Sequence, residues 1–286
     1  MNLLNKLFWS SRPVSWINTA YPFAASYLFV TRSMDLTFIV GTLFFLIPYN
    51  LLMYGINDVF DYESDLRNPR KGGIEGALLE PKFHKPMLFW SFASCVPFLI
   101  YLWLQGSLDS KLWLALFVFT VIAYSIKGLR FKEKPFLDSL TSASHFVGPM
   151  IYGLSLAGVN PLATPQLYLV LAFTLWGVAS HAFGAVQDVI ADREAHISSI
   201  ATSIGARATT RFAFVCYALA GVLTLMAGGL SAIVGVAAIP YLVIVAPFWN
   251  ITDETCEQAN RGWKRFIWLN FFAGFVVSLV LIFAIL

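Results

Sequence analysis

Long apolar runs separated by shorter polar ones set the rhythm of this chain. Nine of them approach the roughly 20 residues that a helix needs to cross a hydrocarbon core: 14–31, 36–56, 86–105, 111–126, 136–156, 166–187, 211–229, 231–249 and 266–285. The linkers alternate. Those at 31–35, 106–111, 158–166 and 228–231 are short, whereas 57–85, 127–135, 188–211 and 250–265 are longer and charged. The pattern predicts an all-α integral membrane protein, a nine-helix bundle forming one polytopic domain over 1–286.

Charge fixes the expected orientation. Of the 19 Lys and Arg residues, only Arg32 and Lys111 lie outside the N-terminal segment and the long loops. The positive-inside rule places that segment and those loops in the cytoplasm, and an odd span count places the C-terminus outside. The expected location is the cell membrane, and any site built from the long loops opens toward the cytoplasm. The segment MNLLNKLFWSSRP lacks a long apolar core followed by a small-residue cleavage site, so no cleaved signal peptide is expected.

Composition agrees. The 286 residues are 58% hydrophobic and 12% charged, with a mean hydropathy of +0.70, against about 25% charge in soluble domains. The bilayer is the expected surrounding, and nucleic acid is not an expected partner. Cys95, Cys216 and Cys256 form no CxxC pair and read as packing residues. The many rings suit lipid contact and interfacial belts, or a cavity for an unsaturated or cationic species.

Carboxylates carry the chemistry. Asn57-Asp58-Val59-Phe60-Asp61-Tyr62-Glu63-Ser64-Asp65 ends the second run, and Asp188-Val189-Ile190-Ala191-Asp192 ends the sixth. Spacings of 3 and 4 predict that Asp58, Asp61 and Asp65 share one helical face, as do Asp188 and Asp192. Like charges so placed destabilise a helix unless a cation lies between them. Hard oxygen ligands suit Mg²⁺, whose shell substrate phosphates usually complete. The plainer alternative is solvated loop acids balanced by Arg67, Arg70 and Lys71. His196, four residues beyond Asp192, either extends that face or is a solvated loop residue. Gly55-Ile56-Asn57-Asp58-Val59 resembles Gly184-Ala185-Val186-Gln187-Asp188-Val189, which predicts a duplicated four-helix unit with a ninth span added. Membrane proteins often build a central site at such a repeat interface.

A third cytoplasmic patch is Tyr124-Ser125-Ile126-Lys127-Gly128-Leu129-Arg130-Phe131-Lys132-Glu133-Lys134-Pro135, followed by Asp138. It serves either as a positive-inside anchor or as a set of cations for a diphosphate. His145 and His181 lie within apolar runs and are expected to hydrogen-bond neighbouring helices.

NDxxDxxxD at 57–65, DxxxD at 188–192 and the Tyr-Ser-plus-basic loop at 124–134 resemble the UbiA-type intramembrane prenyltransferase superfamily over essentially the whole chain. The resemblance implies nine helices around a lipid-open cavity, Mg²⁺ held through both motifs and an isoprenyl diphosphate donor. It implies metal ligation by Asp58, Asp61, Asp65, Asp188 and Asp192, and places Asp61, Tyr124 and Asp188 at the chemistry. Asn57, Arg67, Lys71, Lys127, Arg130, Lys132 and Arg193 are the candidates for holding the diphosphate. The strings at 48–77 and 182–209 are similar to the lycopene elongase branch. That similarity implies transfer of five-carbon units, from dimethylallyl diphosphate, to a lipophilic acceptor, lycopene, on the route to C45 and C50 carotenoids, with or without hydration.

Three alternatives stay open on the residues alone. One is a prenyltransferase of the same fold acting on an aromatic, quinone, haem or chlorin acceptor. Another is a phosphatidyltransferase, whose DGxxAR signature does not occur. The last is a cation-coupled transporter, disfavoured because the acids fall at helix ends rather than mid-span.

Overall fold

The computed structural model describes residues 2–66 and 78–285, with the side chains of Ser64, Asp65 and Ile267 outside the description. Every regular element among these residues is helical. They divide into two compact units. The first comprises residues 1–131 and 148–159, the second 132–147 and 160–286.

The first unit holds α1 (Leu3–Ser10), α2 (Trp16–Thr31), α3 (Leu36–Leu46), α4 (Pro48–Phe60), α5 (Tyr62–Asp65), α6 (His84–Ala93), α7 (Val96–Gln105), α8 (Leu108–Ser125) and the second half of α9 (Leu137–Leu156). Local chemistry sets the starts. The Asp35 carboxylate accepts from Phe38 N at 2.8 Å and Ser107 Oγ from Ser110 N at 3.3 Å. Each satisfies a backbone donor that a helix start leaves unpaired. Pro48 opens α4, where its missing N–H costs nothing. The core of this unit is aromatic: Phe23, Phe44, Phe45, Tyr49 and Tyr152 are buried against one another, with ring centroids 4.9–6.0 Å apart. A Cβ on Gly41 would strike the Phe23 ring, so this glycine lets α2 and α3 close on each other. Many rings therefore do interior packing, besides those that face outward. At the N-terminus, Lys6 donates to Leu78 O at 3.1 Å and pairs with Glu80 at 2.8 Å, tying α1 to the start of the α6 region. The Lys6 hydrogen bond holds the Glu80 carboxyl below its ordinary range.

The second unit holds the first half of α9, then α10 (Gln166–Val186), α11 (Val189–Glu194), α12 (Ile200–Ile204), α13 (Ala206–Met226), α14 (Ser231–Gly235), α15 (Ala238–Val245) and α16 (Asn260–Ile285). Its core gathers Ala179, Phe183, Val186, Ala213, Tyr217 and Tyr241, and α10 runs against α13. Ser199 and Thr202 form a reciprocal capping box at the start of α12.

By length and composition, 7 helical stretches among the described residues suffice to cross a membrane: Leu36–Phe60, Pro81–Gln105, Leu108–Ser125, Gln166–Val186, Ala206–Met226, Ser231–Phe248 and Asp253–Ile285. The expectation of nine differs at two places. The run at 14–31 is helical, but α2 has only 16 residues and contains Pro22. The run at 136–156 is helical over 20 residues, but α9 carries Asp138, Ser139, Thr141, Ser144 and His145. Both are helices, and neither meets the measure of a span that length and apolarity alone supply.

Candidate active site

The first motif does not continue one helix, as its spacing predicts. α4 ends at Phe60, and Asp61 takes φ −101° and ψ 2° before α5 resumes. At the second motif the break falls on its first residue: Asp188 takes φ −101° and ψ 0° between α10 and α11 and caps α11, so Asp188 and Asp192 stay one helical turn apart. Asp61 and Asp188 both lie in the sparsely allowed bridge region, where many active-site residues sit. The matching backbone positions are thus Asp61 and Asp188. The sequence likeness instead aligns Asn57-Asp58-Val59 with Gln187-Asp188-Val189, a register that differs by three residues.

The first motif is buried. Asp58 is 1% exposed and Asp61 7%, which rules out solvated loop acids at both positions. A charge buried this far requires a partner, and each carboxylate has one. Arg12 Nη2 donates to Asp58 Oδ1 at 2.6 Å. Asn57 Nδ2 donates to Asp61 Oδ2 at 2.6 Å, and Arg130 Nη2 stands 3.5 Å from Asp61 Oδ1. Arg130 has φ 40° and also donates to Phe60 O at 3.4 Å. The basic loop after α8 thereby brings one of its cations onto the first motif. Tyr124, in the last turn of α8, is half-buried, and Lys127 is exposed. Gly55 sits one turn before the motif, where a Cβ would run into Ser91 Oγ on α6. Ser91 Oγ in turn donates to Leu51 O at 3.1 Å, so α6 braces α4 just before the carboxylates.

In the second unit, Asp188 and Asp192 are half-buried, and Asp192 N donates to Asp188 O at 2.8 Å. Gln187 Oε1 accepts from Asn260 Nδ2 at 2.5 Å, which ties the carboxamide before this motif to α16. Arg193 donates to Asp253 at 2.7 Å and to Thr202 O at 3.2 Å, so its guanidinium spans the loop after α11 and the approach to α16. Lys132 is half-buried in this unit. His196 does not extend the acidic face, because α11 ends at Glu194 and His196 is exposed with φ 57°. Asp138 is fully buried. Its oxygens accept from Ser139 N at 2.6 Å and Ile200 N at 2.7 Å. Ser139 Oγ lies 3.0 Å from His181 Nδ1, which realises the expected helix-to-helix bond for that histidine. Of the other candidates, Arg67 and Lys71 lie outside the described residues, as does the side chain of Asp65.

The sequence reading missed Arg12. Its signal was available: a cation immediately before Pro13, in the N-terminal segment that the charge pattern groups with the long basic loops. Gln187 stands out in the sequence as the carboxamide before the second motif, but its partner Asn260 has no local cue.

The donor set around the first motif fits Mg²⁺. Asp58 and Asp61 offer it hard carboxylate oxygens. Among the described residues, no three His, Cys, Asp or Glu side chains gather closely enough to cage an ion by themselves. Mg²⁺ needs no such cage, since it usually takes one or two carboxylates and fills its octahedron with water and substrate phosphate.

Known proteins resolve the family. The model of the UbiA prenyltransferase family matches residues 19–283. The chain belongs to the UbiA prenyltransferase family. Among its relatives, the C(50) β-cyclic carotenoids biosynthesis protein of Dietzia sp. (strain CQ4) is 56% identical over 285 residues, 99% of this chain and 66% of that protein. The present chain thus spans about two thirds of that relative's length. The lycopene elongase/hydratase of Corynebacterium glutamicum is 53% identical over 282 residues, 99% of this chain and 98% of the relative. A UbiA homologue from Archaeoglobus fulgidus, solved bound to DMAPP and Mg²⁺, superposes with a TM-score of 0.69 over 96% of this chain and 99% of its own at 20% identity. This likeness carries the fold. The family makes the chain a prenyltransferase and a multi-pass membrane protein, which sets aside the phosphatidyltransferase and transporter alternatives.

Proposed function

We propose that this UbiA-family enzyme transfers a five-carbon isoprenyl group from dimethylallyl diphosphate to a terminal double bond of lycopene, in the synthesis of C45 and C50 carotenoids. The observation that carries the acceptor is 53% identity, over nearly the full length of both chains, to a lycopene elongase/hydratase. Support for the donor comes from the buried Asp58 and Asp61 with their two arginines, and from a homologue of the same fold solved with DMAPP and Mg²⁺.

In this reading Asp58, Asp61, Asp65, Asp188 and Asp192 are the metal-site carboxylates. Bound there, Mg²⁺ would neutralise the diphosphate oxygens as charge develops on them. Asn57 fixes the Asp61 carboxylate through its 2.6 Å bond, so the acid needs no reorganisation when the donor arrives. Arg130, beside Asp61, adds a guanidinium whose planar fork suits phosphate oxygens, and Lys127 and Lys132 supply further positive charge. Tyr124 faces the leaving group or the cation. As the allylic C–O bond breaks, its electron pair leaves with the diphosphate. The π electrons of the acceptor's terminal double bond then form the new C–C bond and leave a tertiary cation, which loses a proton or takes up water. Such stabilisation of departing charge is usually the largest single term in catalysis of this kind.

The nine-span topology, with the N-terminus and both motifs cytoplasmic and the C-terminus outside, belongs to this proposal. Here α2 and α9 cross the bilayer despite their length and polarity, shielded by neighbouring helices. The test is expression in lycopene-producing cells with chromatography of the pigments. C45 and C50 carotenoids are expected, and lycopene should persist with Asp61→Ala. Unchanged lycopene alongside prenylation of an aromatic or chlorin acceptor would refute the carotenoid assignment and leave the family intact.

A further inference from the structure

Arg12 is delivered to the first motif by a braced turn. After α1 ends, Ser11 N donates to Leu7 O at 3.0 Å and Arg12 N to Trp9 O at 3.1 Å. Trp16 Nε1 then donates back to Ser11 O at 3.0 Å. Between these bonds Arg12 holds φ 54°, a left-handed conformation that non-glycine residues seldom adopt. The surroundings thus fix the residue in an unfavourable backbone state that sends its side chain inward, where it is 10% exposed. The guanidinium lies over the Tyr54 ring, 4.9 Å from its centroid and one turn before Asp58 on α4.

The contact with Asp58 is short but single. Nη2 reaches Oδ1 at 2.6 Å, whereas buried Arg12 Nε has no hydrogen-bond partner among the described residues. A bidentate fork would lock the pair; one prong on a ring platform can exchange. The Asp58 side chain is fully buried, so it must have a cation beside it. It cannot easily hold two. A guanidinium and a divalent ion on one carboxylate, where water screens little, repel each other strongly.

We propose that Arg12 is the resident counter-ion of Asp58, and that Arg12 and a divalent cation are alternative partners for that carboxylate. Metal binding at Asp58 displaces the guanidinium, which stays on the face of Tyr54 and becomes a donor for the oxygens of an incoming diphosphate. This rests on the assignment of Asp58 as a metal-site carboxylate. Arg12 is then a positioning residue: it balances the Asp58 charge until the metal arrives, and it sets the concentration at which the metal binds.

The test uses the full chain in lipid nanodiscs, with Mn²⁺ as the probe for Mg²⁺, read by electron paramagnetic resonance without donor or acceptor. Arg12→Gln removes the competing charge and should bind Mn²⁺ at least about tenfold more tightly than the parent protein, whereas Arg12→Lys should stay close to the parent. Equal or weaker binding by Arg12→Gln overturns the proposal. Asp58→Asn separates the two levels: if it binds Mn²⁺ with the stoichiometry and affinity of the parent, the assignment of Asp58 fails first. A second measurement needs no variant. Arginine modification by phenylglyoxal, mapped by mass spectrometry, should speed up several-fold at Arg12 when Mg²⁺ is added, while an unchanged rate at saturating Mg²⁺ overturns the exchange.

Discussion

Asp61→Asn separates what the first motif does for the fold from what it does for the reaction. The substitution keeps the shape of the side chain and an oxygen that can accept from Asn57, now 2.6 Å away. It removes the charge that faces Arg130 at 3.5 Å. At that distance, with an effective dielectric of about 20, the gross attraction is about 5 kcal/mol. Desolvation of the two ions offsets most of it, and Arg130, 27% exposed at its side chain, is partly screened by water. The folded protein should therefore lose about 1–3 kcal/mol. The reaction should lose more, because a metal-site carboxylate stabilises departing charge by several kcal/mol. A loss of about 4 kcal/mol corresponds to roughly a thousandfold in rate. The assay pairs thermal unfolding in detergent with conversion of lycopene to C45 and C50 products in nanodiscs. A folded variant within about tenfold of the parent's turnover would refute the assignment of Asp61 to the leaving-group charge.

Asp188→Ala should also drop turnover by at least about a thousandfold with the protein still inserted; full activity in a well-folded preparation would make the second motif a plain loop. EDTA should abolish product formation and Mg²⁺ restore it, and activity that survives exhaustive chelation would contradict the metal assignment. Gly55→Val should push α6 off α4, because a Cβ already meets Ser91 Oγ and stands 3.1 Å from Met87 Sδ, at a cost of about 1–3 kcal/mol; an unchanged unfolding temperature would show that the two helices are not tightly braced there. Reporter fusions after Gly158 and Gly229 should read outside and a fusion after Arg207 inside, whereas a C-terminus reporting cytoplasmic would break the nine-span topology.

Helix existence was legible in the chain because apolarity decides it in a bilayer. All nine apolar runs fold as helices or helix pairs. Their adequacy as spans was less legible. α9 buries Asp138, Ser139, Thr141 and His145 against protein, and a hydropathy pattern cannot distinguish a polar residue satisfied inside a bundle from one that ends a span. The motifs were legible as clusters, but the first does not run as one face through to Asp65. A 3–4 spacing predicts one face only while the helix continues: α4 stops at Asp61, before Asp65, whereas one helical turn joins Asp188 to Asp192.

Asp61 closes the last turn of α4, its N–H donating to Asn57 O at 2.9 Å, so Asp58 and Asp61 remain one turn apart. Side by side and unpaired, the two carboxylates would repel each other. Each acid instead meets its own arginine: Arg12 from the N-terminal segment, and Arg130 from the loop 69 residues beyond Asp61. Neither pairing follows from local sequence, since each depends on helices packed by tertiary contacts. The two pairs also differ. Arg12–Asp58 is short and shut away from solvent at 2.6 Å, whereas Arg130–Asp61 is longer at 3.5 Å and more open. A cation arriving from the aqueous side meets the weaker pair first. Asp61 should therefore be the easier carboxylate to recruit, and Asp58 the one whose release sets the affinity.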